Sequence, residues 1–134
     1  MPATDPAHVL VVARDTGATS SLVDAVRARA ASGPCWFHVL IPAPAGRHGM
    51  EQAEQALADA VPALESAAHR PVDGSVSPRH DPMDAIEETL LAGDFDEIIL
   101  ATVQHAVSHW LHVDLPRRVA HLGLPLTTVI ESGG

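Results

Sequence analysis

Between Ala101 and Arg118 the chain reads ATVQHAVSHWLHVDLPRR, its densest set of chemically capable side chains. His105, His109 and His112 recur at i, i+4 and i+7, so on a helix they would share one face. Neutral imidazoles at that spacing can bind zinc or another borderline metal, with Asp114 as a possible fourth ligand. The alternative is three solvated or hydrogen-bonded histidines, since there is no HExxH arrangement and no cysteine beside them. Arg117 and Arg118 can present cations to a phosphate, or pair with Asp114 and other acids at the surface. Val107, Trp110 and Leu111 form an apolar stripe at i, i+3 and i+4. Trp110 then packs onto the sheet or a partner subunit, with stacking on an aromatic ligand as the alternative.

Other candidates are sparser. Asp15 stands in a turn after an apolar run, where it either hydrogen-bonds a ligand or closes the turn. Asp81 before Pro82 reads as a helix cap. The single cysteine, Cys35, sits in an apolar run and reads as an inert core residue. His8 and His38 read as hydrogen-bonded wall residues of strands. There is no GxSxG, no CxxC and no arranged carboxylate couple, so no catalytic residue is assigned and an enzyme is not expected.

The elements that must position these residues follow from periodicity. His8–Ala13 is a short β-branched run that suits a strand buried on both faces. Leu22, Ala25, Val26, Arg29 and Ala30 recur at helical spacing, with Ser20 and Ser21 as N-cap candidates and Gly33-Pro34 as the stop. CWFHVLI over 35–41 is a second strand. An amphipathic helix over about 50–68 follows, with Pro62 expected to kink or divide it. Residues 72–76 predict a weak edge strand. Asp81 and Pro82 open a helix with Met83, Ile86, Leu90 and Leu91 as its buried stripe, ended by Gly93. FDEIILA over 95–101 is a fourth strand. Asp114-Leu-Pro116 opens a last helix to about Leu122, and residues 126–130 form a fifth strand. Strands alternating with helices predict one domain over 1–134: a three-layer α/β/α sandwich around a five-stranded, mostly parallel sheet. In such a sheet ligands sit beyond the carboxyl ends of the strands, where strand order reverses. That directs attention to the loops after strands one and four.

Composition narrows the function. Eight Lys and Arg against 17 Asp and Glu leave a net charge of −9, which repels nucleic acid and anionic membranes. One cysteine cannot form an internal disulfide, and no apolar run reaches the length of a signal sequence or membrane span, so a cytoplasmic protein is expected.

The element order, the Asp15 turn, the Asp-Pro opening of helix three and the run FDEIILATVQ together resemble the universal stress protein family, over nearly the whole chain. The resemblance implies the UspA-like fold, shared with adenine-nucleotide alpha hydrolase-like domains, and a homodimer paired through the last strand. It also implies a nucleotide site. Nucleotide-binding members carry Gly-x-x-Gly, nine residues, then Gly-Ser or Gly-Thr after strand four. Here those places fall on Ala101, Gln104, Asp114 and Leu115, so the spacing is kept while every signature residue differs. Asp15 matches the acidic residue that adenine-binding members place after strand one.

The replacements have physical consequences. Glycines let backbone approach phosphate oxygens, and an open helix N-terminus offers N–H donors to an anion. Gln104 puts a side chain in that space, Asp114 as an N-cap would occupy the donors and repel a triphosphate, and Leu115 supplies no hydroxyl. The expectation is a universal stress protein-like regulatory protein binding a small ligand or protein partner, with no cofactor and no ATP in the usual mode. Two alternatives stay open. One is an ATP- or AMP-binding member with an altered loop using Asp15, Thr102, His105 and Arg117. The other is a metal-responsive protein using His105, His109 and His112.

Overall fold

The computed structural model describes residues 6–14, 17–79, 81–104 and 114–132. Among the described residues nine elements alternate. They are β1 (Ala7–Val12), α1 (Ser20–Ser32), β2 (Cys35–Pro42), α2 (Gly49–Ala68), β3 (Val72–Ser77), α3 (Pro82–Ala92), β4 (Glu97–Gln104), α4 (Asp114–Ala120) and β5 (Leu126–Ser132). The strands form one sheet in the order β3-β2-β1-β4-β5, and every pairing is parallel. The five-stranded α/β architecture predicted from periodicity is therefore the observed one.

The period-2 alternation of each strand divides the core in two. Val9, Val11, Ile99 and Ala101 face α1 and α2, packing on Leu22, Val26, Ala53 and Leu64. Leu10, Val12, Ile98 and Leu100 face α3 and α4, packing on Met83, Ile86 and Val119. Val9, Leu10 and Val11 have no exposed surface, as the central strand of a sheet covered on both faces requires. β3 lies at an edge, as expected of its weaker sequence.

Four details depart from the sequence reading. The cap of α1 is Thr19, not Ser20 or Ser21. Thr19 keeps an extended backbone and its Oγ1 accepts from the Leu22 N–H at 3.3 Å, whereas Ser20 is already helical. Pro62 does not divide α2, which runs unbroken from Gly49 to Ala68. The proline and Ala58, whose carbonyl it deprives of a partner, both lie on the exposed side, where water can take the bond. Leu91 is 90% exposed, since five residues beyond Ile86 it has turned off the buried stripe. β4 begins at Glu97 rather than Phe95 and continues to Gln104, three residues past the predicted end.

Candidate functional site

The late end of β4 creates a concavity. β1 pairs with β4 only as far as Val12↔Leu100, while β4 and β5 stay paired to Gln104↔Ser132. Past Val12 the chain turns toward α1 on one face; past β4 it continues to α4 on the other. This is the point where strand order reverses, and a step is left along the flank of β4. A cavity of about 220 Å³ lies there.

Three strand ends and two helix starts line it. Val12, Ala13 and Arg14 come from β1, Pro42, Ala43 and Pro44 from β2, and Leu100, Ala101 and Thr102 from β4, with Pro82 and Leu115 opening α3 and α4. Two backbone bonds hold the rim: Ala13 N–H donates to Leu40 O at 2.9 Å, and Ala43 N–H to Ser77 O at 2.8 Å. Gly17 closes the turn after β1 with φ +80°, a left-handed conformation that favours glycine, and its N–H donates to Arg14 O. Gly49 starts α2 so close to the Pro44 carbonyl that a Cβ would collide with it. The apolar rim segment 42–44 therefore depends on a residue without a side chain.

The walls are largely apolar. Thr102, only 9% exposed, and Arg14 supply the polar side chains. Both helices that start here open with an aspartate. Asp81 precedes α3 and its Oδ1 accepts from the Met83 N–H at 2.9 Å, as the Asp-Pro pair predicts. α4 begins at Asp114 itself, which is therefore the first helical residue, as Ser20 is in α1, and not the N-cap expected of it. The Asp81 carboxylate competes with any other anion for the donors at the start of α3.

Of the positions singled out in the sequence, Ala101, Thr102 and Leu115 come together in this cavity. Gln104 is the last residue of β4, and Arg117 is exposed within α4 and is not among the lining residues. Asp15 and residues 105–113, including His105, His109, His112 and Trp110, lie outside the described residues. No group of three or more His, Cys, Asp or Glu able to hold a metal occurs among the described residues. The sequence reading missed the 42–44 rim, Leu100 and Pro82. Pro42 and Pro44 read there only as strand-ending punctuation, and nothing local told which loop they would face.

Cys35, His8 and His38 have structural settings. The Cys35 thiol is buried and pushed up by that burial, against the opposing pull of Arg29 and Arg70, so a reactive thiolate is disfavoured. His8 Nδ1 lies 2.9 Å from the Asp94 carbonyl, and His38 Nε2 lies 2.8 Å from Ser75 Oγ. Burial pulls His38 below its ordinary range, partly offset by Asp73.

No family model matches the chain, and no curated protein does. Solved structures do. The universal stress protein from Archaeoglobus fulgidus superposes with a TM-score of 0.66 at 14% identity, covering 92% of this chain and 93% of that one. A universal stress protein in complex with cAMP gives 0.62 at 17%, covering 92% and 96%. The Archaeoglobus fulgidus protein in complex with dAMP gives 0.64 at 13%, covering 93% and 98%. The class is thus a three-layer α/β/α domain with its cavity at the switch point of a parallel sheet. More particularly, the chain has the universal stress protein fold. No helix among the described residues is long and apolar enough to cross a membrane.

Proposed function

We propose that this protein is a universal stress protein-like regulatory module that binds a small ligand of nucleoside or nucleoside-monophosphate size in the switch-point cavity. The observation that carries this reading is the chemistry of that cavity: apolar walls for a flat ring, beside helices that open on Asp81 and Asp114. Two proteins of the same fold are in complex with cAMP and dAMP, which favours the same ligand class. A homodimer paired through the free edge of β5, and residence in the cytoplasm, complete the proposal.

Calorimetric titration with adenosine, AMP and ATP–Mg²⁺ tests it. Adenosine and AMP should bind with similar affinity, ATP no more tightly than AMP, and Leu115→Trp should weaken both by narrowing the cavity. Absence of binding by all three at millimolar concentration defeats the reading. So does ATP binding about tenfold or more tighter than AMP, because that difference of about 1.4 kcal/mol would mean a working triphosphate grip. Sedimentation as a strict monomer at high concentration would remove the dimer.

A further inference from the structure

A second cavity, of about 410 Å³, opens on the α3 side of the sheet and shares no residue with the first. His38 on β2, Ser75 and Ser77 on β3, Glu88 and Thr89 on α3, and Phe95 shape it. It exists because β3 turns a polar row, Asp73, Ser75 and Ser77, to this face beside His38, Leu40 and Pro42, while α3 covers the sheet further in.

Its helix-side wall is electronegative. The cavity lies along the last turns of α3, from Glu88 to Gly93, where a helix presents carbonyls and the negative end of its dipole. No basic residue stands in that last turn to offset it. The Glu88 carboxylate adds to the wall, and Asp73 is near enough to act on His38. The opposing cation is Arg79, whose Nη2 lies 3.1 Å from Glu88 Oε2. His38 itself is held neutral near pH 7 by its burial.

Aromatic surface accompanies this negative potential. The His38 and Phe95 rings meet edge to face, with centroids 5.9 Å apart. Trp36, two residues before His38 and so on the same face of β2, is 48% exposed. A phenylalanine in the wall beside helix carbonyls and a carboxylate, with the exposed Trp36 further along the same strand, suits a cation with an apolar body. From these observations we propose that the cavity is a ligand site for a small protonated organic amine. The ammonium group donates to Glu88 and the carbonyl end of α3, and the carbon skeleton packs on Phe95.

The competing chemistries fit less well. An anion would face the helix carbonyls and the Glu88 carboxylate, with no lysine or arginine among the described lining residues. The 2.8 Å contact of His38 Nε2 with Ser75 Oγ has the length of a base–nucleophile bond. However, a helix C-terminus beside it opposes the oxyanion that acyl transfer would develop.

Titration of the full-length protein with phenethylammonium and its neutral counterpart 2-phenylethanol, followed by the NMR signals of the His38 ring, is decisive. The amine should shift those signals and bind about tenfold or more tightly than the alcohol. Two exposed substitutions should act in opposite directions. Glu88→Gln weakens amine binding several-fold, whereas Arg79→Gln, which frees the carboxylate, strengthens it. Equal binding of amine and alcohol, unmoved His38 signals, or both variants changing affinity in the same direction would each overturn the proposal.

Discussion

The guanidinium of Arg29 on α1 grips the carboxylate of Glu97 at the start of β4 through two parallel bonds, Nε–Oε2 at 2.8 Å and Nη2–Oε1 at 2.9 Å. Both side chains are about four-fifths buried, 21% and 19% exposed. The bidentate bond to Glu97 raises the proton affinity of Arg29 despite the cost of burial. The pair fastens the first helix to a strand that lies 68 residues further along the chain.

Breaking this pair from one side should be more harmful than replacing it. Glu97→Gln leaves a shielded guanidinium without its counter-charge and should cost about 2 kcal/mol in urea denaturation. The double substitution Arg29→Met with Glu97→Leu should cost less than the sum of the two single changes. Additive losses would mean that the two groups act independently.

His38 should make the fold sensitive to mild acid. Burial holds its folded-state pKa below the unfolded value of about 6.5, so the unfolded chain takes up the proton first as pH falls. Stability is therefore present above that unfolded value and is lost as pH falls from it through the folded-state pKa. Thermal melts at pH 7 and pH 5 should show a smaller acid loss in His38→Gln than in the parent protein. An NMR titration placing His38 at or above 6.5 would contradict the sign.

Gly49→Ala should disturb both stability and the switch-point cavity. The added methyl group meets the Pro44 carbonyl, a backbone atom that cannot rotate aside, so segment 42–44 must move. A loss of about 2 kcal/mol or more is expected, as for other backbone clashes, together with weaker adenosine binding. At Gly33, where a Cβ would meet nothing within 4 Å, the same substitution should be nearly silent in both measurements.

Restoring the glycine pattern should restore a phosphate grip. The combination Ala101→Gly, Gln104→Gly, Asp114→Gly and Leu115→Ser removes the side chains that stand in the signature positions. Thermal shift with ATP–Mg²⁺ should then approach the roughly 2.7 kcal/mol of stabilisation given by ligand at one hundred times its dissociation constant. No gain over the parent would show that the loop's frame is not that of a phosphate cradle.

The sequence made the architecture legible because its signals are local. β-branched runs, the Asp81-Pro82 start and the Gly93 stop each act on their own element, and together they predicted the alternation that the sheet displays. Cap choice at Thr19 and the exposure of Leu91 depended on a single residue of phase, which periodicity does not resolve. Three positions singled out through the family resemblance, Ala101, Thr102 and Leu115, line the cavity beside β4. The apolar rim at 42–44 and the His38–Ser75 contact were not legible, since they arise when separate strands are laid side by side.

The strand order also dictates how the molecule can be assembled. β1 is the centre of the sheet, yet its two neighbours arrive at very different times. β2 and β3 follow almost at once and can join β1 as a nascent three-stranded layer on α1 and α2. The other edge of β1 waits for β4, with His8 and Asp96, 88 positions apart, meeting at that seam. Long-range parallel pairing is slow to form. During synthesis the hydrogen-bonding edge of the most apolar strand therefore stays open until the last third of the chain emerges, and premature release at that stage should favour aggregation over folding.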